Sequence, residues 1–104
     1  MAPPPHELTD RFRSNLRHCR RLTELSQEHL ALLAAMHRTE IGLLEAGKRT
    51  PRIDTLMRLV GSLEVQPGDL LEGIEWIPDR RNPKRGAFWV PQPLHGQTER
   101  RADG

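Results

Sequence analysis

At 104 residues the chain has room for one domain, with about thirty residues to spare, and a core of about 65 residues is near the small end of what folds alone. Charged residues make up 29% of it and aromatics only 4%, with two Phe, two Trp and no Tyr, and fifteen leucines stand against seven Ile plus Val, which favours helices over a β-sandwich or barrel. No apolar run approaches the ~20 residues of a membrane span. The start (Pro3, Pro4, Pro5, Glu7) lacks the form of a signal peptide, and a single cysteine, Cys19, cannot close an internal disulfide, so a cytoplasmic chain is expected. Net charge is +2, with residues 1–74 neutral (ten Lys/Arg, ten Asp/Glu) and residues 75–104 carrying the excess. Such a chain is no non-specific polycation; binding to nucleic acid requires positive charge gathered on one face.

Residues 1–7 read as a disordered lead-in, because consecutive prolines remove donors and block helix. Phe12, Leu16, Cys19 and Leu22 follow at spacings of four, three and three, one helical stripe. Leu25 precedes Ser26, placed as an N-cap with Gln27 and Glu28 in the first turn. Leu30, Leu33 and Ala34 carry a short second helix, and Ile41 and Leu44 a third. Gly47 is placed as a left-handed cap, followed by Lys48 and Arg49. After Pro51, the residues Ile53, Leu56, Met57, Val60 and Leu63 mark a fourth helix, and Pro67 at N1 opens a short fifth through Leu70 and Leu71. The pattern changes after Gly73. Ile74–Ile77 and Ala87–Val90 are short runs with β-formers, consistent with a hairpin carrying a basic loop. Residues 91–104 have few apolar side chains and read as a disordered tail. The predicted organisation is thus a helical domain over 8–73, a hairpin or dimerisation extension over 74–90, and the tail.

Leu25 to Pro51 carries the informative pattern. Leu30, Ala31, Ala34, Met36, Ile41 and Leu44 are apolar or small at offsets suited to two helices crossing at a tight turn, and a small Ala31 lets them approach closely. Gln27, Arg38, Thr39, Glu40 and Glu45 fall outward. This is the outline of a helix-turn-helix, whose second helix enters the major groove.

At Leu25-Ser26-Gln27-Glu28, Ile41 with Leu44-Glu45, Gly47-Lys48-Arg49 with Pro51, and Asp54-Thr55-Leu56, the chain resembles the Cro and phage-repressor type of helix-turn-helix, the XRE family with its lambda-repressor-like domain. The resemblance covers roughly Phe12 to Leu71. It implies an all-α, five-helix fold and sequence-specific DNA binding, usually as a dimer, and it pairs Arg20 with Glu45 so as to orient Arg20 toward a phosphate. An ordinary surface ion pair there would contribute at most about 1 kcal/mol. Three positions depart from the family. Ala35 stands in the turn where Gly is frequent, and His29 stands where a capping-box Glu is frequent. Gly42 lies inside the recognition helix, where it costs about 1 kcal/mol against Ala; it either lets the backbone approach a base or sugar or simply weakens the helix.

Other chemistries fit poorly. Gly42 to Lys48 matches the start of a P-loop, but Arg49 replaces the Mg²⁺-binding Ser/Thr and no strand precedes it. The five histidines lack zinc spacing, and His18 and Cys19, adjacent on a helix, diverge. No catalytic triad can be assembled, so neither an enzyme nor a cofactor is expected. Arg80, Arg81, Lys84 and Arg85 form either a solvated loop, the commoner case, or a wing-like loop on phosphate.

The expected function is a small transcriptional regulator on double-stranded DNA with a two-fold operator. The alternative is a protein-interaction module, an antitoxin or accessory subunit docking through the same helices. The recognition helix spans about 37–46. Arg38, Thr39 and Leu43 are expected to read bases: Arg38 donates to guanine O6 and N7, and the methyls of Thr39 and Leu43 pack on thymine. A phosphate contact is the competing role for Arg38, and Glu40 either accepts from cytosine N4 or points to solvent. Ser26, Gln27, His37, Lys48, Arg49 and Arg52 are expected on the DNA backbone, His37 alternatively as a cap. Leu70, Leu71, Ile74 and Trp76, with no evident partners in so short a chain, are expected to form a homodimer interface.

Overall fold

A computed structural model describes residues 6–82 and 84–89. Five helices are followed by a two-stranded antiparallel sheet: α1 (His6–Leu22), α2 (Gln27–Leu33), α3 (Arg38–Glu45), α4 (Ile53–Leu63), α5 (Pro67–Leu70), β1 (Glu75–Pro78) and β2 (Gly86–Trp89). The expected lead-in is shorter than its prolines suggest, since His6 and Glu7 are already helical. Proline blocks helix behind it but not ahead of it, Glu7 complements the amide end of the helix, and Thr9 Oγ1 donates to the His6 carbonyl at 3.0 Å. The tail over 91–104 lies outside the described residues.

The helix ends follow their local chemistry. Ser26 Oγ accepts from the amide of His29 at 2.9 Å, so the second helix is capped as its sequence predicts. At the end of α3, Gly47 takes φ +72°, with the Lys48 amide reaching Leu43 O and the Gly47 amide reaching Leu44 O. A side chain at 47 would also meet Arg13 Cδ at 2.9 Å, but it is the positive φ that calls for glycine. Gln66 N donates to Asp69 Oδ2 at 2.8 Å, closing a box around Pro67.

Phe12, Leu16 and Cys19 of α1, Leu30, Ala31 and Ala34 of the α2 segment, Ile41 and Leu44 of α3, Leu56, Leu59, Val60 and Leu63 of α4 and Leu70 of α5 form one core. Burial pushes the Cys19 thiol pKa up, with the charges of Asp69 and Glu72 adding to it. The helix α1 packs against α3, α5 and β2, and α4 closes the far side against α2 and α5.

One of the proposed interface residues is corrected here. Leu70 is wholly buried in the core, and Ile74 is half-buried against it. The partner they lacked in sequence is α1: Asn15 Nδ2 donates to the carbonyls of Leu70 and Glu72, both at 3.0 Å, and draws the end of α5 onto the first helix. Gly73, at φ +81°, lies against the buried Arg11 guanidinium, 2.8 Å from where a Cβ would stand. Leu71 and Trp76 remain exposed.

The hairpin forms one residue earlier on its return strand than expected, with Glu75 opposite Trp89, Trp76 opposite Phe88 and Pro78 opposite Gly86. Trp76 and Phe88 meet edge to face, centroids 5.1 Å apart. The Trp76 indole also lies over Gly86, where a Cβ would run into Trp76 Cζ2. That cover is why β2 begins at a glycine.

Candidate nucleic-acid interface

The helix pair α2–α3 turns through Ala34 and Ala35. Ala35 takes φ +56°, so alanine does adopt the left-handed turn where glycine is usual in the family, and the Met36 amide returns to Ala31 O at 2.9 Å. Ala31 and Ala34 are each 3% exposed, and their small side chains set the close packing of the pair.

A buried carboxylate locks this pair to α1. Glu45 is 1% exposed. Arg20 grips it in two places, Nε to Oε2 at 2.6 Å and Nη2 to Oε1 at 3.0 Å, while Arg20 Nη1 donates to Leu25 O. Gln27 Nε2 donates to Glu45 Oε1 at 3.0 Å, and Arg17 Nε stands 3.7 Å from the same oxygen. Burial pushes the Glu45 carboxyl pKa up, but the hydrogen bonds from Arg20 and Gln27 and the charges of Arg20 and Arg17 outweigh it and hold the group below the usual carboxylate range. The bond to Glu45 correspondingly raises Arg20. This is no surface pair: removing one partner of such a buried bridge costs about 3–5 kcal/mol. Gln27, expected on the DNA backbone, spends its amide on this cluster. The sequence shows Gln27 in a first turn but has no local sign of a carboxylate eighteen residues away.

On α3, Ile41, Leu44 and Glu45 face the core. At about 100° per residue, Thr39, Gly42, Leu43 and Ala46 fall on the opposite side, with Arg38 on its flank. Arg38 and Thr39 are exposed and Leu43 is half-buried. A Cβ at Gly42 would meet nothing within 4 Å, so the protein itself places no steric demand for glycine there. His37 occupies the N-cap position without a side-chain cap bond, which corrects its alternative role as a cap and leaves the imidazole exposed beside the opening amides of α3.

Lys48, Arg49 and Arg52 lie exposed on the segment after α3. Arg49 Nη1 bridges to Glu40 Oε1 at 2.7 Å, and Arg52 Nε stands 3.6 Å from Asp54 Oδ1. Glu40 is thus paired with the loop that follows the recognition helix. The pair spans nine residues across a glycine cap, a reach a hairpin-like turn allows. Ile53, which marks the start of α4 in the sequence, is 76% exposed. Together with Leu8, Phe12, Pro51, Leu56 and Leu71 it lines an apolar depression of about 330 Å³. Among the described residues no group of three or more His, Cys, Asp or Glu is placed to hold a metal ion, and no helix is long and apolar enough to cross a membrane.

Comparison with known proteins meets this geometry at the same residues. The helix-turn-helix family HTH_3 matches residues 16–70, from the middle of α1 to the end of α5. The chain is 40% identical over 50 residues to control protein C.BamHI of Bacillus amyloliquefaciens, a match spanning 48% of this chain and 62% of that protein, just under two thirds of its length. It is 39% identical over 57 residues to control protein C.SmaI of Serratia marcescens, spanning 55% of this chain and 68% of the relative. Among solved structures, the restriction-modification controller protein C.AhdI from Aeromonas hydrophila superposes with a TM-score of 0.56 at 31% identity, over 62% of this chain and 94% of the other. With the two helices, their turn and the buried Arg20–Glu45 clamp all inside the matched span, the chain belongs to the HTH_3 helix-turn-helix family.

Proposed function

We propose that this protein is a sequence-specific DNA-binding transcriptional regulator that inserts α3 into the major groove. The observation that carries the reading is the pairing of a rigid α2–α3 unit with an exposed Arg38 and Thr39 at the leading end of α3. In this geometry the first turn of the recognition helix meets base edges. Arg38 reads a guanine, Thr39 and Leu43 read thymine methyls, and the open Gly42 lets the helix backbone come close to the groove floor. Ser26, the first amides of α2, His37, Lys48, Arg49 and Arg52 hold the phosphates on either side. Arg20, with three of its five N–H groups engaged, acts through Glu45 by fixing the angle between α1 and the recognition helix. The reading assigns no catalysis and places the protein in the cytoplasm, on the nucleoid when bound.

Similarity to control proteins supports a regulator's role, and a two-fold homodimer fits the exposed apolar surface. Ile53, Leu71 and Trp76 are the exposed apolar side chains assigned to it. A two-fold dimer on B-DNA sets its recognition helices about 34 Å apart, one helical turn. Selection of binding sites from random duplexes with the purified protein tests the reading: the expected result is a two-fold sequence with half-sites one turn apart. Absence of any enriched sequence, with capture of a protein partner in its place, would establish the docking alternative.

A further inference from the structure

The helical body and the hairpin loop differ sharply in charge. Residues 6–78 hold ten Lys/Arg and eleven Asp/Glu, and residues 86–104 hold two of each. The whole positive balance of the chain therefore sits in the loop 79–85, where Arg80, Arg81, Lys84 and Arg85 stand against a lone Asp79. In the body Arg13, Arg17, Arg20, Arg49 and Arg52 each face a carboxylate, so the cations beside the recognition helix are already partly neutralised. Among the described residues none of the four loop cations makes an ion pair, and all four are exposed.

The loop is built to keep them so. Asp79 Oδ1 accepts from the amides of Arg81 and Asn82 at 2.9 and 3.2 Å, which turns the one carboxylate of the loop toward backbone rather than toward arginine. Asn82 Oδ1 accepts from the Lys84 amide, and the amides of Asp79, Asn82 and Arg85 close on carbonyls of the same loop. Below it, the Trp76–Phe88 contact joins the two strands, and the packing of β2 on α1 fixes the hairpin to the body. Four-residue strands at about 3.3 Å per residue carry the loop roughly 13 Å beyond the Glu75–Trp89 pair.

We propose that this loop is a second DNA-contacting element, a wing that lies on the phosphate backbone of the same duplex and supplies the positive charge the helical body lacks. The proposal rests on the DNA-binding reading above. Its contacts are to phosphate, so they add affinity and salt dependence without base preference. Each cation that neutralises a phosphate adds about 0.9 to the slope of log binding constant against log salt.

The test uses the full chain and a selected duplex. The loop variant combining Arg80→Gln, Arg81→Gln, Lys84→Gln and Arg85→Gln is expected to flatten the salt slope by at least about 2 while retaining the wild-type base preference and helical circular dichroism. A second variant with Arg80→Lys, Arg81→Lys and Arg85→Lys keeps the charge and is expected to bind with the wild-type slope. Methylphosphonate flanks in the duplex give the same flattening with unmodified protein. Equal slopes for wild type and the Gln variant overturn the wing and leave the recognition helix standing, as does a Lys variant that behaves like the Gln variant. A wild-type protein that binds no duplex overturns both.

Discussion

Two carboxylates show how differently the helical body and the hairpin use charge. Glu45 is buried and gathers arginines from α1 and an amide from α2, so that its negative charge becomes the joint of three helices. Asp79 is bound by the amides of its own turn, and the arginines beside it stay in solvent. A buried charge without partners is costly, which forces side chains to converge on Glu45. At Asp79 the backbone donors are nearest and water screens the rest, so nothing draws the arginines inward. In the first case charge builds the scaffold; in the second it is left for a partner.

The contrast breaks most severely at Glu45. Glu45→Ala is expected to lower the unfolding free energy by about 3–5 kcal/mol, read from chemical denaturation, because it strands Arg20 in the interior. Asp79→Ala should leave global stability within about 0.5 kcal/mol, as surface substitutions usually do. Titration sharpens the same point. Glu45 binds its proton less tightly folded than unfolded, so its stabilisation is complete above the ordinary Glu value of about 4.3 and is lost as pH falls below that, through the lower folded value. Denaturation midpoints taken between pH 6 and 3 should show this acid limb, and it should be shallower in Glu45→Gln.

Arg38→Ala comes next, with an expected loss of about 1–3 kcal/mol on the preferred site and relaxed selection at one base pair per half-site. An unchanged preference matrix at lower affinity would move Arg38 to phosphate. Gly42→Ala has two readouts of opposite sign: thermal stability should rise by the equivalent of about 1 kcal/mol from helix propensity, since the site is open, while affinity for the selected duplex should fall if the backbone approaches the groove there. The smallest global effect belongs to Gly86→Ala. It drives a Cβ into the Trp76 indole, so the hairpin amides should exchange faster with solvent while those of α4 keep their protection.

What could be read from sequence was what is local. Ser26, Gly47 and Pro67 each carry their reason for a helix end within a few residues, and those ends were placed correctly. The start of α1 is not legible because a proline run masks a helix that begins directly after it in the chain. Contacts that join distant segments left no trace: Gln27 to Glu45, Glu40 to Arg49, and above all Asn15 to the carbonyls at 70 and 72, which holds Leu70 in the core. The Arg20–Glu45 pair, equally distant, was reached through family resemblance rather than through spacing.

The hairpin also decides what light can report about this molecule. Both tryptophans, Trp76 and Trp89, lie in its two strands, about half exposed, and the chain has no tyrosine. Intrinsic emission therefore follows the sheet alone, while ellipticity follows the helices. A melt recorded by both is a direct measure of whether the appendage and the body come apart in one cooperative step or two. Quenching of the same emission upon adding duplex would place the partner near the strands without attaching a dye.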